Sequence, residues 1–144
     1  KNESDEALKA FESVNSKRNR KLLVKDLLEY RKEYQLVTPF LCRIAAAVSQ
    51  NYKDVIEWLL EAIFSEYDKL RETTSTNFVV NDKKSRNLKY ICEFTKFKLI
   101  DPERTIAVIQ NLIDDLKGYN IELLISALES VGRFLYLAPQ HANK

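Results

Sequence analysis

The chain has almost nothing with which to turn a sheet. Two glycines and three prolines stand in 144 residues, whereas a sheet protein needs a turn signal roughly every 8–12 residues. Long stretches free of both residue types are left to helices, and the pattern predicts an all-α fold. At this length one ordinary core can be buried. With 45% hydrophobic and 31% charged residues, the balance is that of a globular chain rather than a disordered one.

One of the two glycines looks misplaced. The segment SALESVGRFLYL, residues 126–137, reads as an amphipathic helix with Gly132 inside it, where glycine costs about 1 kcal/mol against alanine. The apolar period puts Ile121, Leu124, Ile125, Leu128, Val131, Gly132 and Leu135 on one stripe. Gly132 is therefore expected to let a neighbouring helix come close, with backbone contact offsetting its propensity cost; the competing reading is a tolerated flaw near a fraying helix end.

The other helices are read the same way. A short helix is expected over 3–14, and Ser16 suits the N-cap of SKRNRKLLVKDLLEY, whose apolar side is Leu23, Leu27 and Tyr30 or Tyr34. In TPFLCRIAAAVSQ, Thr38 suits the cap and Pro39 the first turn, with Leu41, Ile44, Ala45 and Val48 following at helical spacing. The next helix opens near 54 and carries Ile56, Leu59, Leu60, Ile63, Tyr67 and Leu70, its charges opposite. Residues 73–82 read as the one long loop, with FVV as a brief extended piece. KKSRNLKYICEFTKF then places Leu88, Ile91, Cys92 and Thr95 together. Asp101 caps a helix opening at Pro102, with Ile106, Ile109, Ile113 and Leu116 on its stripe. Gly118 falls just past that helix, where a left-handed residue is common, and Asn120 caps the last helix.

Helix starts near 38, 54, 83, 102 and 120 pair as antiparallel hairpins. First helices at 38, 83 and 120 are 45 and 37 residues apart, close to the repeat length of HEAT-type units, about 40–47 residues. The expected architecture is a stack of HEAT-like antiparallel hairpins in a short right-handed solenoid, an α-α superhelix, although a compact bundle has similar stripes. Residues 1–144 are expected to form a single helical-repeat domain. Lys1 in place of methionine, and an end at HANK soon after a helical pattern, suggest a piece of a longer multidomain scaffold.

No catalytic constellation is visible. The single histidine, His141, lies beyond the last helix beside Pro139, so no HExxH motif or histidine-based zinc site can be assembled. Cys42 and Cys92 stand fifty residues apart without CxxC spacing; they read as buried free thiols of a reducing compartment. Asp114 and Asp115 are adjacent on a helix and diverge by about 100°, so they do not share a proton or metal. Two isolated glycines make no phosphate-cradling loop. We expect no enzyme, no cofactor and no metal. The apolar runs are too short and too often interrupted to span a membrane.

Charge patterning is the remaining signal, because a net charge of +2 gives no strong overall field. Residues 17–32 hold Lys17, Arg18, Arg20, Lys21, Lys25, Arg31 and Lys32 against Asp26 and Glu29. Residues 83–98 hold Lys83, Lys84, Arg86, Lys89, Lys96 and Lys98 against Glu93. With Tyr90, Phe94 and Phe97 nearby, such helices could meet phosphates and stack bases. The competing reading is a solvated face balanced by acidic neighbours, with the aromatics in the core. The candidate interaction residues are Lys17, Arg18, Arg20, Lys21, Lys83, Lys84, Arg86, Lys89, Lys96 and Lys98.

Residues 86–116, RNLKYICEFTKFKLIDPERTIAVIQNLIDDL, with the following IELLISALESVGRFLY, resemble the middle-domain family of eukaryotic initiation factor four-gamma. EFTKFK and LESVGRFL are most similar to the second of three such domains carried by scaffolds of nonsense-mediated mRNA decay. The earlier order of a basic helix, a spacer and a helix of small apolar residues is similar too. Cys92 departs from the family, which usually has glycine before the glutamate. The resemblance implies a non-enzymatic helical-repeat scaffold of cytoplasmic messenger-RNA surveillance. Such a scaffold would bridge an RNA helicase and an RNA-recognition-motif partner through other domains, with this domain supporting its neighbours. It assigns no binding residue here. Two function classes therefore stand: a protein scaffold, and an RNA-binding module using the basic positions of 17–32 and 83–98.

Overall fold

A computed structural model gives the structure over residues 2–33, 35–73 and 77–137, with side chains over 5–29, 36–73 and 77–137. Tyr34, His141 and the side chains of Tyr30, Arg31 and Lys32 lie outside these. The described residues are helical almost throughout and contain no strand, so the all-α expectation holds. The chain divides into two compact units, one through Ser65 and one from Glu66.

In the first unit, α1 (Asn2–Ser13) packs on α3 (Thr38–Asn51), as does α2 (Lys17–Glu33). Ser16 caps α2 as expected: its Oγ accepts the Asn19 N–H at 3.1 Å and its carbonyl accepts from Arg20 at 2.9 Å. Thr38 is not a cap. A 3₁₀ turn, Gln35–Val37, runs directly into α3, so Val37 is already helical (φ −89°, ψ −2°) and Thr38 is the first, buried, helical residue. Continuing helical geometry upstream leaves no extended residue to turn its side chain back on the first N–H groups. The core holds Val24, Leu27, Cys42, Ala45, Val48, Val55, Leu59 and Ile63. Of these, Val55, Leu59 and Ile63 come from α4 (Lys53–Glu72), which runs from the first unit into residues assigned to the second.

The second unit is built around α5 (Phe78–Lys96). It buries Asn87, Leu88 and then every residue from Tyr90 to Thr95, the mark of a helix enclosed on all sides. α6 (Pro102–Asp114), α7 (Asn120–Ala127) and a π-helical turn (Leu128–Gly132) all pack on it. α5 begins earlier than the sequence suggested. Residues 78–82 are helix, not loop, because Asn77 is extended (φ −64°, ψ 137°) and its Oδ1 accepts the Val79 N–H at 3.0 Å. First helices at 38, 78 and 120 then lie 40 and 42 residues apart, a more even spacing than the expected one.

Two further local readings change. Asp101 does cap α6, accepting the Glu103 N–H at 3.0 Å. That helix, however, ends at Asp114, and Gly118 takes its left-handed conformation (φ +52°) in the turn beyond. Asn120 caps nothing forward; its amide reaches back to the Asp115 carbonyl at 2.9 Å and carboxylate at 3.3 Å.

The chain stays helical from Asn120 to α8 (Arg133–Leu137), widening at the π turn. Its buried line is Leu123, Ala127, Val131 and Leu135, four apart throughout. A straight α-helix would carry a spacing of four steadily around its surface. The wider turn takes in an extra residue and keeps the line facing α5. Ile121, Ile125 and Leu128, expected inside, are exposed.

Candidate functional site

The first basic cluster lies in the first unit, and half of it is part of the fold. Arg20 Nε meets Asp54 Oδ2 at 2.8 Å, its Nη1 donates to Asn15 Oδ1 at 2.8 Å, and its guanidinium lies 5.3 Å from the centre of the Tyr52 ring. Asp54 stands in the first turn of α4, where a negative charge is favoured by the helix dipole. Lys21 Nζ lies 5.5 Å from the Trp58 ring centre. Lys17 and Arg18 are exposed and have no side-chain partner among the described residues.

The second cluster belongs to the second unit and divides in the same way. Lys84 Nζ donates to the Thr73 carbonyl at 3.2 Å, Arg86 pairs with Asp82, and Lys96 pairs with Glu93 at 2.6 Å. Lys83, Lys89 and Lys98 are left without a partner among the described residues. Base stacking by the expected aromatics is largely ruled out. Tyr90 is 1% exposed and Phe94 0%, packed edge-to-face with ring centres 5.5 Å apart, while Phe97 alone is 37% exposed.

Two concavities open in the second unit. One, of about 330 Å³, lies among Tyr67, Asn87, Asn111 and Asn120 over the leucines 70, 88, 112 and 123. Burial holds the Tyr67 phenol above its ordinary pKa; Asn111 and Arg71 pull the other way, and Asp68 adds a small push. The larger, about 1070 Å³, runs between the α5–α6 connection and α8. It gathers Lys96 and Lys98 with Arg133, which the sequence reading did not single out. The signal for Arg133 was its place four residues after Glu129, on the flank of a helix whose outward side is apolar.

Cys42 and Cys92 are buried thiols not joined in a disulfide, as expected. Burial pushes the Cys92 thiol up to about 12; Glu93 also raises it, while Lys96 and the Ser130 hydroxyl lower it. Such a thiol is neither nucleophile nor metal ligand near neutral pH. Among the described residues no group of three His, Cys, Asp or Glu side chains is placed to hold a metal ion. No described helix is long and apolar enough to cross a membrane.

Gly132 does not serve a packed interface. A Cβ built there would meet only Leu128 of its own helix, at 3.8 and 3.9 Å, which is ordinary contact. It sits instead on an outward stripe with Ile121, Ile125, Leu128 and Tyr136, all exposed apolar residues of the same helical run.

A family model, the MIF4G domain, matches residues 3–144. The chain belongs to the MIF4G domain family. This is the family expected from the blocks at 86–116 and 121–136, and an all-α helical-repeat fold goes with it. Among curated relatives, the Arabidopsis thaliana protein "Regulator of nonsense transcripts UPF2" is 28% identical over 127 residues, 88% of this chain and 11% of that protein. The human "Regulator of nonsense transcripts 2" is 29% identical over 129 residues, 89% of this chain and 10% of that protein. "Nonsense-mediated mRNA decay protein 2" of Schizosaccharomyces pombe is 25% identical over 130 residues, 90% of this chain and 12% of that protein. The chain thus spans about a tenth of the length of these relatives.

Proposed function

We propose that this MIF4G domain is a non-catalytic scaffold element of a nonsense-mediated mRNA decay factor, working in the cytoplasm through protein–protein contacts. It supports neighbouring domains of the same scaffold, whose RNA helicase and RNA-recognition-motif partners are held by other domains. The observation that carries this reading is the outward apolar stripe of Ile121, Ile125, Leu128 and Tyr136. Exposed apolar stripes mark surfaces meant for another protein surface. The names of the relatives supply the pathway. The family match runs through both compact units and supports treating residues 1–144 as one helical-repeat domain.

A second reading, RNA binding, rests on the lysines and arginine without a partner among the described residues: Lys17, Arg18, Lys83, Lys89 and Lys98. Phosphate contacts release counterions and make affinity fall steeply with salt. Fluorescence anisotropy of labelled single-stranded RNA, titrated with the chain at low and near-physiological salt, separates the two. The scaffold reading expects no binding. Micromolar binding that falls steeply with salt and weakens on Lys83→Glu would overturn it in favour of RNA.

A further inference from the structure

We propose that the groove between the α5–α6 connection and α8 is a binding site for an acidic peptide segment bearing a bulky apolar side chain. This deepens the protein-scaffold reading and rests on it. The buried Ile100 and the side chains of Phe134 and the exposed Leu137 give it an apolar lining. The charges around it are not equivalent. Lys96 is held by Glu93 at 2.6 Å, and Asp101 is committed to the α6 cap. That leaves Lys98 and Arg133 with no partner among the described residues, beside the carboxylates of Glu129 and the cap-bound Asp101. An apolar slot with two uncommitted cations at its edge selects carboxylates close to a large hydrophobic residue.

The backbone at Lys98 adds to this. α5 ends with the Lys98 N–H on the Thr95 carbonyl and the Leu99 N–H on the Phe94 carbonyl, both 2.9 Å. That is the paired closure in which the left-handed position is usually glycine. Lys98 holds φ +59° there. Glycine would close the helix with less strain, so the lysine gains nothing for the fold and puts a cation on the groove instead. RNA fits less well. Tyr90 and Phe94 are buried in the core and offer no open aromatic face for a base.

The test is a titration of the isotope-labelled chain followed by amide NMR. Three probes are used: a short capped peptide alternating Asp/Glu with Leu/Phe, the same peptide with Lys for its acids, and octauridine. The acidic peptide is expected to shift the amides of Lys98, Ile100, Arg133 and Phe134 with saturation below millimolar concentration. Lys98→Glu combined with Arg133→Glu should weaken it by about tenfold or more. Lys98→Gly should weaken it several-fold while leaving amides away from the groove in place. The proposal fails if the acidic peptide leaves the groove amides unmoved up to millimolar, or if the basic peptide binds as well. Stronger shifts from octauridine at these amides would also sink it and hand the groove to RNA. The wider scaffold reading is judged separately, by the RNA titration above and by decay of messenger RNA in cells.

Discussion

Thr95 and Thr105 are both fully buried, and their hydroxyl oxygens lie 2.6 Å apart, tying α5 to α6. Thr95 already donates to the Ile91 carbonyl at 2.7 Å. A hydroxyl has one hydrogen, so Thr105 must be the donor to Thr95. The direction of the bond sets an order among variants. Thr95→Val strands a buried donor and should cost about 1–3 kcal/mol, whereas Thr105→Val removes the donor and should cost about 1 kcal/mol. The double Val variant should be no less stable than Thr95→Val alone. Urea unfolding of the four proteins measures the cycle, and a larger cost for Thr105→Val than for Thr95→Val would contradict the assigned direction.

Gly132→Ala should stabilise the chain by about 0.5–1 kcal/mol. The site is helical, its φ is not positive, and the added methyl meets only Leu128 at ordinary contact distance. Had the glycine served a tight helix–helix approach, as the sequence suggested, the same change would destabilise. A thermal melt decides between the two signs.

Lys98→Gly should also stabilise, by about 1 kcal/mol, because it relieves a left-handed lysine at the end of α5. Chemical denaturation gives the number directly. An unchanged or lowered midpoint would mean that the lysine side chain supports the fold.

Folding raises the Cys92 thiol from an ordinary value of 9.0 to about 12. The native state therefore holds its proton more tightly than the unfolded chain. Its contribution is complete below pH 9 and is lost as pH rises from there toward 12. Stability should fall between about pH 8 and pH 10 more steeply in the parent chain than in Cys92→Ala. Parallel slopes in urea unfolding at the two pH values would show that Cys92 carries none of the effect.

Helix existence was legible in the sequence and helix phase was not. Ser16 and Asp101 capped where expected because an oxygen-bearing side chain preceded a helix with a clear break before it. Thr38 and Asn120 failed because helical geometry or a returning amide contact was already in place. The stripes were misread by about one residue wherever apolar side chains surround the helix. On α6 the buried set is Thr105, Val108, Ile109 and Leu112, leaving Ile113 and Leu116 exposed. A helix packed on more than one side carries apolar residues on several faces, so period alone does not say which face is the core. The π turn could not be anticipated from spacing at all. Of the basic positions, charge was readable but its use was not. Asp54 and Tyr52 for Arg20, and Trp58 for Lys21, are contacts between residues distant in sequence, and they turn candidate binding groups into structural ones.

A scaffold role in messenger-RNA surveillance is best judged by the half-life of a reporter messenger RNA carrying a premature stop codon. The reporter is followed in cells whose own copy of the parent protein is replaced by one lacking residues 3–144. The expected result is a half-life prolonged several-fold, with a reporter lacking the premature stop unaffected. Equal decay of the premature-stop reporter with and without this domain would contradict it.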